Sequence, residues 1–395
     1  MARMIPRPLF RWRHGVVAIG AVVVFQFNVA AAAPGFVSLF DGGTLKGWHQ
    51  VNCAKETFTA RDGMIVCTGK PTGVLRSDKQ YENFIFEVEW RHMKPKGNAG
   101  IFVWSEGISA PGVPFAKSIE VQVLENEYGK SDWFTTHGDI FPIHGSTMNP
   151  DHPRKGSRSF PTEERSLPAG KWNKYVIVCI DGAVKLSVNG KFVNGGTECN
   201  YRKGYLCLES EGSEAHFRNL RLYELPPSGA DKSNTAPLVE GFVTRYSGVD
   251  LRGWQVNAEA AKVWKSSDWR LVCKPTPDDR RDLEMDGEFG EYSVQIDYKW
   301  DAKDADVLLA PLLLGGRPVW HDEKVPAGVK KALADVKPGK FVRLRVDRGL
   351  RAQTISVNGA VVAKNVAMER GAREKIALRN AGVAATFSSI YTLER

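Results

Sequence analysis

The chain writes out one domain twice, and no other feature limits its fold as much. Gly35-Phe36-Val37 and Leu45-Lys46-Gly47-Trp48 return 206 residues later as Gly241-Phe242-Val243 and Leu251-Arg252-Gly253-Trp254. The echo continues in order. Tyr81-Glu82-Asn83-Phe84 with Trp90 answers to Phe289-Gly290-Glu291-Tyr292 with Trp300, Lys185 to Gly190 to Thr354 to Gly359, and His216 to Leu220 to Thr386 to Ile390. Solenoid units repeat every ~20–50 residues, so a period this long means two whole domains. Each has roughly 160–190 residues, enough to bury a core without staples.

Nearly every segment reads as strand. Phe84 to Arg91 alternates strictly, with the aromatics and Val88 on one side and Glu87, Glu89 and Arg91 on the other. Ser293 to Trp300 does the same in the second copy. Tyr175 to Ile180 and Val184 to Val188 are joined by Asp181-Gly182, a hairpin turn signal, and Asn189-Gly190 turns the chain again. A short helix fits Val329 to Asp335. Short strands, regular turns and no βαβ alternation give an all-β chain of two tandem antiparallel sandwiches. Residues 34–225 form the first, 226–238 a Pro-rich linker, and 239–395 the second, shorter one.

Residues 1–33 read as an export signal. Arg3, Arg7, Arg11 and Arg13 precede an apolar stretch from Gly15 to Val29, and the alanine run 30–33 supplies a small-residue exit. A retained anchor fits less well, because the apolar stretch falls short of the ~20 residues a span needs. The expected product is periplasmic or extracellular, with no stable membrane insertion after cleavage. Losing the four arginines takes the formal charge from +9 to +5. That mild excess is no nucleic-acid footprint. Of six cysteines, Cys199 and Cys207 are the pair to test for a bridge; Cys67 and Cys273 hold matching repeat positions, and no CxxC spacing suggests thiolate metal binding.

The copies differ most in the middle. Between Trp90 and Gly170 the first spends 80 residues, whereas the second spends 39 between Trp300 and Gly339. The enlarged stretch holds His92, His137, His144 and His152, four of eight histidines, with Trp104, Trp133, Phe134 and Phe141. Such an insertion on a rigid sandwich is where binding residues are expected. On the strand Ser118 to Glu125, alternation buries Ile119, Val121 and Val123 and turns Glu120 and Gln122 to the other face, roughly 7 Å apart. A carboxylate and an amide at that spacing can grip neighbouring sugar hydroxyls; a solvated outer face is the plain alternative. His137 and Asp139 can be a base with its orienting carboxylate, a metal-binding pair, or a structural loop clamp. Glu209 and Glu211 share a face if their strand persists, and Arg165 or Arg218 can hold a carboxylate or an oxyanion. Asn98, Trp104 and His144 complete the candidate binding residues. No phosphate loop, nucleophile elbow or zinc-hydrolase helix motif is present.

Taken together, several segments resemble the 3-keto-disaccharide hydrolase domain family of secreted bacterial proteins. These are Leu39-Phe40-Asp41-Gly42 with Leu45 and Gly47-Trp48, Gly97-Asn98-Ala99-Gly100-Ile101-Phe102, Glu120 to Leu124, Lys171-Trp172-Asn173, Val188-Asn189-Gly190, and Phe217 to Arg221. The likeness covers about Gly35 to Leu225. It implies a concanavalin-like jelly roll and cleavage of glycosides oxidised to a ketone at sugar carbon 3, with an oligosaccharide or oxidised glycoside as partner. Glu125 stands where the family often has Asp, and Ala99 where it often has Ser. The second copy lacks counterparts of Asn98, Glu120, Gln122, His137 and Asp139, which implies a non-catalytic domain. A 3-ketone acidifies the proton on carbon 2, so elimination needs a base (Glu120 or His137), an enolate stabiliser (Arg218, a histidine or a cation) and an acid for the leaving oxygen. No cofactor is assigned; a divalent cation such as calcium is left open, since no acidic loop is distinctive. The rival expectation is a lectin-like module that binds glycan and cleaves nothing.

Overall fold

A computed structural model describes residues 35–395 apart from 135, 136, 240, 277, 278, 280, 369 and 370. The expected export signal, residues 1–33, lies outside the described residues. Among these residues the β-rich alternation produces four antiparallel sheets. The first sandwich stacks a nine-stranded sheet on a six-stranded one. The six-stranded sheet runs Trp48–Val51, Gly73–Tyr81, Gly204–Ser210, Asn98–Ser105, Ser118–Leu124 and His137–Ile143. Its partner is centred on Phe84–His92, flanked by Asn173–Ile180 and Ala215–Glu224. Phe84, Phe86, Val88 and Trp90 face inward, fully buried against Tyr175, Ile177 and Ile101. Asp181 and Gly182 both take positive φ (47° and 75°), the twist that a two-residue hairpin needs to join Asn173–Ile180 to Ala183–Val188.

The second sandwich is smaller, with an eight-stranded and a four-stranded sheet between residues 243 and 394. The helix expected near Val329 spans Ala327–Leu333 and buries Val329 and Leu333. One register differs from the sequence reading. Trp300 pairs with Ala385 as His92 pairs with Ala215, so Tyr298, not Trp300, takes the place of Trp90. Residues two apart lie on the same face of a strand, so Tyr298 and Trp300 both face the core and the pattern alone does not separate them.

All six cysteines are free and buried, so the expected Cys199–Cys207 bridge is absent. The reason is alternation. Cys199 packs in the core between the sheets, whereas Cys207 lies in a separate cluster with Val51, Val74, Phe102 and Tyr391. Burial pushes both thiols up to about 12.

That separate cluster is where the two sandwiches meet, within one compact unit from Gly35 to Arg395. Tyr391 of the second reaches Asn52 at 2.9 Å and Ser109 at 3.0 Å. Arg343 ties Asp297 to the Ser109 carbonyl, and Gly112 N–H donates to Asp297 at 3.0 Å. The linker is pinned too: Glu82 accepts from the N–H groups of Ser228 and Ala230, and Gln80 donates to the Ala236 carbonyl at 2.7 Å. The junction therefore fixes one sandwich on the outer face of the other's six-stranded sheet. No helix among the described residues is long and apolar enough to cross a membrane.

Candidate active site

Alternation along Ser118–Leu124 sets the geometry. Ile119, Val121 and Val123 lie in the core, so Glu120 and Gln122 turn to the outer face of the six-stranded sheet. Neighbouring strands supply the same face. Gly100 pairs with Gln122 and Phe102 with Glu120, while Leu208 pairs with Ile101, which sets Glu209 beside Gly100. A Cβ at Gly100 would stand 2.7 Å from Glu209 Oε2 and 2.9 Å from Glu120 Oε1. The two carboxyl oxygens are therefore no further apart than the sum of those lengths. Their gap is comparable at most with the about 5–5.5 Å between the paired carboxyls of retaining glycosidases.

Both carboxyls are nearly sealed, Glu120 at 6% and Glu209 at 1% exposure, and Glu209 Oε2 has no hydrogen-bond partner among the described residues. Glu211, half-buried, accepts from Asn98 Nδ2. Asn98 Oδ1 in turn accepts from Gln122 Nε2 at 3.1 Å, and Ser213 Oγ accepts from Asn98 N–H at 2.9 Å. Asp139 is fully buried one strand further on, where Arg158 Nη1 donates to it at 2.9 Å. The Arg158 guanidinium lies 3.4 Å from the Phe141 ring centre. Thus Glu120, Gln122, Asn98, Glu209, Glu211 and Asp139 gather on one face.

Crowding governs their charge. Burial, then repulsion from Glu211, raises Glu120 from 4.5 to about 8, with the Arg158 cation opposing. Burial and its two acidic neighbours hold Glu209 well above the carboxylate range. Burial raises Glu211 as well, against the Asn98 hydrogen bond. Near pH 7 Glu120 and Glu209 are mainly neutral acids, and Glu120 becomes a carboxylate as pH rises through about 8.

Residues 35–223 match the family model described as the 3-keto-alpha-glucoside-1,2-lyase-like domain. The first sandwich belongs to that family. A 3-keto-disaccharide hydrolase of Bacteroides thetaiotaomicron is 24% identical over 189 residues, covering 42% of this chain. The chain spans 60% of the length of that relative. A solved structure from Parabacteroides distasonis overlaps at TM-score 0.39 with 22% identity, over 49% of this chain and 94% of the other. The carbohydrate-binding module CBM66 of Bacillus subtilis overlaps at 0.34 with 12% identity, over 45% and 96%.

Within the lyase-like domain five expected site residues serve other ends. His137 pairs with Val123, a core-facing residue, so its ring leaves the shared face. Its Nε2 accepts from the N–H groups of Arg165 and Ser166 at 3.0 Å each, and burial lowers its pKa to about 4. With that lone pair engaged, His137 clamps a loop, and the base role falls to the carboxyls. Arg165 bonds the carbonyls of Val188 and Asn189 instead of facing the acids. Trp104 is fully buried, donates to the Glu82 carbonyl at 2.8 Å and packs on Phe84, so it is core and no sugar platform. Arg218 belongs to the opposite sheet, paired with Glu89 at 2.7 Å and stacked on Trp172. His144 sits exposed at a turn with φ 50°. Gly100 and Arg158 were missed as site residues: one acts by leaving space, and the other carries no local motif.

A surface hollow of about 530 Å³ along Phe40, Trp48, Asp78 and Lys79 lies on the far edge strand and gathers no buried acids. The site is placed by its chemistry, not by volume. Among the described residues no group of three His, Cys, Asp or Glu has the arrangement of a metal site.

Gly100→Ala tests the geometry directly. Gly100 has no positive φ, so alanine strains nothing in the backbone and only displaces the two carboxyls. Misplacement of about 1 Å costs roughly 10²-fold in rate, and kcat should fall by about that much while the melting temperature changes little. Unchanged kcat would mean that the pair is not the reacting centre.

Proposed function

We propose that the chain is an exported enzyme that cleaves 3-keto-glycosides or disaccharides, using the Glu120–Glu209 pair. The observation that carries this reading is a buried carboxyl oxygen, Glu209 Oε2, left without a partner among the described residues, beside a second carboxyl whose pKa is raised to about 8. An unpaired buried polar atom is costly unless a ligand or an ordered water completes it. The matched family and the Bacteroides relative, both named for 3-keto sugars, support a carbohydrate-cleaving enzyme and point to that substrate class.

The chemistry follows from the protonation states. Neutral Glu209 donates a hydrogen bond to the keto oxygen on carbon 3, as a carboxylic acid held neutral by its surroundings can. Ionised Glu120 takes the proton from carbon 2, and the electrons of that C–H bond move to the carbon-3 oxygen as an enolate. The enolate collapses to the ketone, a double bond forms between carbons 1 and 2, and the bond from carbon 1 to its oxygen substituent breaks. The proton held by Glu120 goes to that leaving oxygen, and water then adds across the double bond to complete hydrolysis. Asn98, Gln122 and Glu211 hold ring hydroxyls. An oxocarbenium route would instead leave the carbon-2 proton in place.

The test compares a 3-keto-disaccharide with its unoxidised parent. Cleavage of the first and not the second is the expected result. Binding of both with turnover of neither would make the chain a lectin-like module. The arginine-led, apolar start supports export, which N-terminal sequencing of the mature protein checks: a start within or just after the alanine run 30–33 is expected.

A further inference from the structure

We propose that the second sandwich completes the substrate cleft of the first, with Trp269, backed by Phe341, as its stacking wall. This rests on the reading that the Glu120–Glu209 face is where sugar binds. Of the five tryptophans in the second sandwich, Trp254, Trp264, Trp300 and Trp320 are at most 4% exposed, and Trp269 alone is half-buried. It occupies the hairpin tip Asp268-Trp269 between Trp264–Ser267 and Arg270–Cys273. A core does not need an indole there.

Two anchors hold that tip against the first sandwich. At one end the Asp268 carboxylate accepts from Thr72 N–H and Thr72 Oγ, both at 2.8 Å. Thr72 precedes Gly73, which pairs with Ser210, the residue between Glu209 and Glu211. Asp268 is near enough for its charge to raise Glu211. At the other end Phe341 packs against Gly112, in the loop that leads into the Glu120 strand; a Cβ on Gly112 would lie 2.6 Å from Phe341 Cβ. The Trp269 and Phe341 ring centres are 6.2 Å apart, and Arg270 lies 5.2 Å from the Trp269 ring. Between Thr72 and Gly112 lies the face that bears Glu209, Gly100 and Glu120. In this proposal the indole, held between those two points, overhangs the acids from the opposite domain. Aromatic faces suit the apolar C–H surface of a sugar ring, and the indole N–H offers one donor. This accounts for a second sandwich that lacks the acids yet is bolted to the first.

The test uses the full chain with Trp269→Ala, Trp269→Phe and, separately, Glu120→Gln. Asp268, Arg343 and both cores are untouched, and unchanged denaturant unfolding confirms the fold. For the 3-keto-disaccharide, Trp269→Ala should raise KM about 10-fold or more with kcat within about 2-fold, Trp269→Phe should restore most of the loss, and Glu120→Gln should lower kcat. If KM is unchanged in Trp269→Ala while Glu120→Gln is inactive, the wall is wrong and the catalytic reading stands. If the wild type cleaves nothing, the readout is calorimetric binding of the same sugar: about 10-fold weaker binding by Trp269→Ala supports the wall, and equal or absent binding overturns it.

Discussion

Glu120→Gln is expected to lose on the order of 10²–10⁴-fold in kcat, the usual contribution of a positioned general base, while making the protein more stable at pH 8. The two effects share one cause. Glu120 binds its proton far more tightly in the fold, up to about 8 against 4.5 in the unfolded chain. Above pH 4.5 the unfolded chain therefore releases a proton that the native state keeps, and wild-type stability falls as pH rises from 4.5 to about 8. Glutamine removes that loss. The variant should match the wild type in melting temperature near pH 4 and exceed it near pH 8, whereas the wild-type rate should climb with pH up to about 8. A variant that is both inactive and less stable at pH 8 would show that the carboxylate holds structure.

The second large effect lies at the domain junction. Arg343→Met should destabilise the chain by about 3–5 kcal/mol, the cost of stranding a buried charge. Asp297 is fully buried and takes two bonds from this guanidinium, at 2.7 and 2.8 Å, while the same group donates to the Ser109 carbonyl across the junction at 2.7 Å. Without it Asp297 keeps the Gly112 N–H but no cation. Guanidinium-chloride unfolding measures the loss, and the double variant Arg343→Met, Asp297→Leu should recover much of it, since no charge then remains buried. A loss below about 1 kcal/mol would mean that the pair is hydrated and does not bolt the sandwiches together.

The fold was legible because strand alternation and turn chemistry are local. Phe84 to Trp90, Asp181-Gly182 and Asn189-Gly190 declare their faces and turns without help from distant chain. The polar pair on one strand was legible for the same reason: Glu120 and Gln122 had to share a face. What pairs with that face is a matter of register between strands distant in sequence, so Glu209 entered as one of several acidic runs and Gly100 not at all as a site residue. Imidazole drew attention by residue type, yet one glycine at positive φ, Gly138, sits between His137 and Asp139 where the ladder shifts and sends their side chains apart. Arg218 and Trp104 failed on facing: one sits on the opposite sheet, the other in the core. The junction was out of reach, because nothing local to Trp269 or Arg343 says what a neighbouring domain will set beside them.

The most direct measurement is the kinetic isotope effect on cleavage of a 3-keto-disaccharide deuterated at carbon 2. If Glu120 removes that hydrogen, the wild type should slow several-fold and release deuterium to solvent. Cleavage at an unchanged rate with the label retained at carbon 2 would contradict the account.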